Sequence, residues 1–258
     1  MSVASQASPS VPNASDPAIP TPNLDHATFE PFPGPLAWLG FWITLAIAAA
    51  AALWLTGYRD YQIASAIQTG ERIIEFQSIG ERDDQTIREA IRVQRASIPF
   101  WTTLRMLTDF VFLPLGLAAR ALAAATLAAA WAAIWGRPHR FADGWRESAA
   151  VQGFWAVGLA LQTGLIIALG QPEATFSAAL WLDPTVTQPA WLNLSLRWLD
   201  GFALAGWIAL AWGIRQRGQA GISGAVLLTL MLMSLEFLLV IPWELVLGAG
   251  MRLTVVPQ

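Results

Sequence analysis

The sequence predicts an all-α fold, a polytopic transmembrane helical bundle with five membrane spans plus amphipathic and interfacial helices. Three observations predict it. Hydrophobic residues make up 55% of the chain and charged residues only 13%, whereas a soluble domain carries about 25% charged residues. The apolar residues come in uncharged blocks long enough to cross lipid. The chain also holds 14 Trp, several at block ends, where amphipathic rings favour the headgroup level.

The elements follow in order. Residues 1–34 are rich in Ser, Pro, Ala and Asn and carry Asp16, Asp25 and Glu30 but no basic residue. They lack the positive start and apolar stretch of a signal peptide, so they read as a disordered polar tail. Residues 35–58 form the first span: Leu36 to Gly57 is uncharged, flanked by Trp38 and Trp42 at one end and Trp54 and Tyr58 at the other. At about 1.5 Å per residue it covers a hydrocarbon core of roughly 30 Å.

Residues 59–114 switch to mixed charge and read as an amphipathic and interfacial helical insert. Ile63, Ile67 and Ile74, then Ile87 and Ile91, recur at helical spacing, which predicts two amphipathic helices around Gly80 with Asp83 or Asp84 capping the second. Their narrow apolar faces suit the membrane surface better than a lid on the bundle. "IPFWTTLRMLTDFVFLP" is an interfacial approach that carries Arg105 and Asp109 and stops at Pro114.

Residues 115–247 then supply four spans: Leu115 to Gly136, Ala149 to Gly170, Leu196 to Ile214 and Gly224 to Val246. "ALAAATLAAAWAAIWG" in the second span is dominated by small residues, which let helices approach closely in lipid. A short surface helix, Ala174 to Leu182, fits the third connection, and residues 248–258 form a C-terminal tail. Pro242 is expected to kink the fifth span near its end.

Glu236 lies in the middle of that fifth span. Eleven Leu, Ile, Phe and Val residues between Val226 and Ile241 favour insertion by roughly 5 kcal/mol on translocon scales. One central acid costs about 3 kcal/mol, so the span survives, with its carboxylate turned inward, protonated or paired. Spans alternate in direction. The starts of spans two and four therefore share a leaflet with the end of span five. That places Arg120, Arg197, Asp200, Glu236 and Glu244 toward one side, as a candidate intramembrane polar cluster with Arg120 the best partner for Glu236. Such a pair either fixes helix packing, relays a proton or ion, or makes a polar contact with a lipid headgroup.

Function classes narrow by exclusion. The net charge of −3 gives no footprint for nucleic acid. Every basic residue is Arg and there is no Cys, so disulfides, thiolate nucleophiles and Cys-based metal sites are out. His26 and His139 fall in the tail and in a loop, away from any haem-binding position in the bundle. No zinc, serine-hydrolase or nucleotide motif is present. The sequence therefore implies no catalytic residue, cofactor or metal. The short basic loops 137–146 and 215–217, against the Arg-free loop 171–195, put the N-terminus in the cytoplasm. The seven Arg between 59 and 105 pull the other way, but orientation signals fade in long segments.

"WLNLSLRWLDGFALAGWIALAWGIRQRGQAGISGAVLLTLML" and "GRPHRFADGWRESAAVQGFWAVGLAL" together resemble the later part of the Yip1-domain membrane proteins. Asp200, Phe202 and Trp207 stand where that family opens a span with a polar residue and an aromatic. The resemblance covers residues 100 to 247 and implies five spans and a cytoplasmic N-terminus. Eukaryotic members act in vesicle trafficking, whereas bacterial members have no settled biochemical role. The insert at 59–99 departs from the family's compact pattern. The resulting expectation is a non-enzymatic protein of the bacterial inner membrane, a Yip1-like scaffold or accessory subunit of a larger complex with protein partners in the bilayer. The alternative is a transporter or channel component that uses the Glu236–Arg120 pair.

Overall fold

The computed structural model describes residues 34–77, 84–137, 139–171, 175–181 and 189–252, and every named element among them is a helix. The polar tail, Gly80 and the expected cap at Asp83 fall outside the described residues. Four helical runs are long and apolar enough to cross a membrane: Pro35–Leu55, Gln85–Ile134, Phe141–Leu169 and Ile222–Met251. The protein is an all-α integral membrane bundle.

Helix α1 (Pro35–Leu55) starts on a proline, whose missing amide hydrogen costs nothing in a first turn. It ends before Gly57, which turns the chain at φ 75°. The amphipathic insert folds as α2 (Tyr58–Gln77) and α3 (Asp84–Ala96). Here the structure differs from the surface-lying pair expected. Ile63 and Ile67 of α2 are buried against Leu247 and Met251 at the end of the last helix, with Trp101 and Trp243 alongside. Gln94 of α3 donates to the Met251 carbonyl at 3.0 Å, satisfying an acceptor that a helix end would otherwise leave open. Arg95 grips Glu71 of α2 through two bonds of 2.7 and 2.9 Å. Periodicity revealed the apolar faces of these helices but not what they face.

The second run does not stop at Pro114. Helix α4 (Ile98–Leu107) passes through a wide π turn, Thr108–Phe112, into α5 (Leu113–Ile134). In the π turn the Leu113 N–H donates to the Thr108 carbonyl, one residue further back than in an α-helix. The extra residue relaxes the ladder just before Pro114, which has no donor of its own. Ala121, Ala124, Ala125, Ala128 and Ala132 of α5 are all buried, and this alanine face packs closely against its neighbours.

Helix α6 (Phe141–Val151) begins inside the expected basic loop, and only a turn at Gln152 separates it from α7 (Gly153–Leu169). Of the expected surface helix between 174 and 182, the described part is a 3-10 turn, Ala178–Trp181. The expected fourth span is broken. Helix α8 (Ala190–Trp198) ends at Leu199, and Asp200 then caps α9 (Gly201–Gln216) by accepting the Phe202 N–H at 2.7 Å. Segment 175–181 is pinned to this break, with the Ala178 N–H donating to the Leu199 carbonyl at 3.0 Å.

Helix α10 (Ile222–Arg252) runs through Pro242 and beyond the expected end at Val246, taking in residues assigned to the C-terminal tail. The core lies where α5, α6, α9 and α10 meet, with Ala124, Ala128, Val151, Trp207, Leu210 and Leu228 buried together and Trp155 of α7 packed against them. Gly206 makes one approach possible: a Cβ there would come within 2.5 Å of the Trp155 ring.

Candidate functional site

Two charged constellations lie inside the bundle. The first centres on Arg120, two turns into α5. Its Nε donates to Glu236 Oε2 at 2.7 Å and its Nη2 to Oε1 at 2.5 Å. This is a bidentate fork matching the planar carboxylate. Its Nη1 donates to Gln152 Oε1 at 3.0 Å, and Gln152 in turn donates to the Ser148 carbonyl at 3.1 Å. The guanidinium lies 4.3 Å from the centre of the Trp155 ring, close enough for cation–π attraction. Trp207 of α9 meets Trp155 edge-on, with ring centres 5.2 Å apart at 84°. One arginine thus ties α5 to α10, to the α6–α7 junction and, through the tryptophans, to α9.

The second constellation was not anticipated as a cluster. Asp109, on the π turn and 2% exposed, accepts from Trp54 Nε1 and from Arg59 Nη2, each at 3.1 Å. Arg59 Nε lies 2.8 Å from the other Asp109 oxygen, and Nη1 donates to Gln62 at 2.8 Å. Burial pulls the Arg59 pKa down to about 10, an effect reinforced by Arg105 and opposed by Asp109. The group still keeps its charge near neutral pH. Arg105 reaches Asp109 only at 3.5 Å and Glu244 of α10 only at 3.4 Å.

These side chains line a cavity of about 640 Å³ where the ends of α1, α7 and α10 meet α2, the π turn and Arg197 of α8. Its wall mixes these five charged residues with Gln62, Ser65, Thr69 and Thr163, and with apolar Leu53, Leu113, Leu159 and Ile166. At the opposite end of the bundle Arg137 Nη1 donates to the Gly218 carbonyl at 3.4 Å, and Arg217 pairs with Glu147. There burial lowers the Arg217 pKa, against the pull of Asp143.

The five residues expected to gather toward one face therefore divide. Arg120 and Glu236 form the first constellation. Glu244 joins the second through Arg105. Arg197 bonds to Asn193 one turn back along α8, at 2.9 Å, and lines the cavity. Asp200 is a helix cap. Sequence reasoning missed Arg59, Arg105 and Asp109 as a site. The signal was present: Arg105 and Asp109 sit one turn apart in an apolar stretch, and Arg59 directly follows span one, whose end shares a leaflet with their own. Among the described residues no three His, Cys, Asp or Glu side chains gather closely enough to hold a metal ion. No family model, curated protein or solved structure matches the chain.

Proposed function

We propose that this protein is a non-enzymatic, multi-pass membrane protein of the bacterial inner membrane. It works as a scaffold or accessory subunit that presents a rigid bundle to protein partners, as the resemblance to Yip1-domain proteins implies. The observation that carries this reading is the closed state of the Arg120 constellation. Both forks of the guanidinium are engaged, to Glu236 and to Gln152, and one of its faces is covered by Trp155. A relay needs a carboxylate that changes partners, whereas this one is held by two short parallel bonds to one guanidinium. The arrangement suits a clamp between helices.

Five passes fit the contacts at both ends of α9. Its start lies against Phe176, beyond α7, while the residues just past its end, Arg217 and Gly218, meet Glu147 and Arg137. With 16 residues it is shorter than the other passes, roughly 24 Å at 1.5 Å per residue. Protein neighbours on either side make the shorter length tolerable.

Purification in native membrane discs followed by mass spectrometry tests the proposal. The expected result is a protein partner recovered in constant stoichiometry. Recovery of the chain alone, together with an ion flux in liposomes that Glu236→Gln abolishes, would move the protein to the transporter class.

A further inference from the structure

We propose that α2, α3, α4 and the last turns of α10 form a head that rocks as one piece on the membrane bundle, and that this motion opens and closes the cavity between them. This goes beyond the scaffold reading and does not depend on it.

Three stretches of chain join the two pieces, and each is interrupted at the joint. Helix α1 passes into α2 through Gly57, at φ 75°, with open space where a Cβ would stand. Helix α4 passes into α5 through the π turn, Thr108–Phe112. Helix α10 enters the head at Pro242, which has no amide hydrogen to give the Leu238 carbonyl. Side-chain contacts put the three interruptions at one level. Asp109 of the π turn accepts from Trp54 and from Arg59, which stand on either side of Gly57, each at 3.1 Å. Phe112 of the same turn meets Trp243, next to Pro242, edge-on with ring centres 5.5 Å apart. One helix proline or one wide turn only bends a helix. Three interruptions side by side give the whole head a common axis.

The head is tied within itself. Ile63 and Ile67 of α2 are buried against Leu247 and Met251 of α10. Gln94 of α3 donates to the Met251 carbonyl at 3.0 Å, and Arg95 of α3 holds Glu71 of α2. Gly250 lies so close to Trp101 of α4 that a Cβ there would collide with the ring. Helices α2, α3 and α4 pack chiefly on one another and on α10, not on α5, α6, α7 or α9. The Arg59–Asp109 pair does cross the joint. It sits at the interruptions themselves, so it fixes the pivot and leaves the angle free.

The cavity of about 640 Å³ lies in this joint. The bundle supplies Leu53, Leu159 and Ile166 to its wall, and the head supplies Gln62, Ser65 and Thr69. Interdigitated surfaces resist sliding, whereas a void between two pieces changes its volume with their angle. Ile166 is 5% exposed, so a thiol placed there reports when the head tilts away.

Spin-label distances in the full-length protein, held in lipid discs, test this. Gln68→Cys on α2 and Leu161→Cys on α7 place exposed labels across the joint. Gln68→Cys with Thr103→Cys stays within the head, and Leu161→Cys with Leu230→Cys within the bundle. The distance distribution across the joint should be about twice as wide as either internal one. Pro242→Ala restores the missing donor at an exposed position and should narrow the distribution across the joint while leaving both internal ones unchanged. It should also slow modification of Ile166→Cys by a water-soluble methanethiosulfonate roughly threefold. A distribution across the joint as narrow as the internal ones would overturn the proposal, as would a width indifferent to Pro242→Ala. An unchanged modification rate beside a narrowed distribution would refute the opening of the cavity.

Discussion

Arg120 shows how one residue can organise a bundle in a solvent that offers it nothing. Hydrogen bonds between membrane helices average only about 0.6 kcal/mol, too little to set a fold. An orphaned charge is different, because exposing one central ion to lipid costs about 3 kcal/mol on insertion scales. Arg120 and Glu236 are 14% and 17% exposed, so removing either strands the other. Arg120→Met and Glu236→Leu should therefore each destabilise the protein by about 3 kcal/mol. The double substitution leaves no ion behind and should recover most of that loss. Unfolding by graded detergent exchange, followed by circular dichroism, measures the cycle. Single variants within 1 kcal/mol of wild type, or a double variant worse than both, would mean that the pair is not a clamp. This pair was legible in the sequence for a simple reason. Alternating spans fix which ends share a leaflet, and each of the two spans carries one charge deep in an apolar run. Asp109 was harder to read, because its partners come from 50 and 55 residues earlier in the chain, across a helical insert whose docking no periodicity specifies.

Among the elements, the π turn at Thr108–Phe112 does the aiming. It inserts one residue between α4 and α5, so the two helices carry their charged faces at angles that an unbroken α-helix would not give. Asp109 thereby meets Trp54 and Arg59 while Arg120, further along, meets Glu236. Inserting one alanine after Val111, an exposed residue of the turn, adds a residue that the widened turn does not absorb and rotates everything before it by about 100° relative to α5. Either Asp109 leaves its partners or α4 undocks, and the loss should approach that of a broken buried ion pair, about 3–5 kcal/mol. The melting temperature in detergent should fall sharply, whereas Val111→Leu, which keeps the residue count, should leave it nearly unchanged. Equal effects of the two changes would show that register is irrelevant there. The elements most legible in the sequence were the long apolar ones, α1 and α10. The break before α9 was less so, since "LRWLDGF" reads as nearly continuous grease unless Asp200 is taken as a cap rather than as a buried charge.

At the scale of the whole molecule, the bundle has two unlike ends. One holds the 640 Å³ cavity, the α2–α3 pair and the finish of α10. The other gathers the loops around Arg137, Arg140 and Arg217, with Glu147 and Asp143 as partial counterweights. The arginine of the cavity end is largely paired or lies in a long segment: Arg59 with Asp109, Arg105 with Glu244, Arg95 with Glu71. The positive-inside rule counts short loops near span ends, so the Arg137 end should be cytoplasmic and the cavity should open to the outside. The chain contains no Cys, and single reporters can therefore be read without background. Gln68→Cys places a thiol on the exposed side of α2, and His139→Cys places one in the exposed loop before α6. A membrane-impermeant maleimide added to intact cells should label the first and should reach the second only after permeabilisation. The reverse pattern would turn the molecule over and put the cavity in the cytoplasm. Equal labelling of both from one side would contradict the bundle itself, because α5 connects those two ends and would then have no membrane to cross.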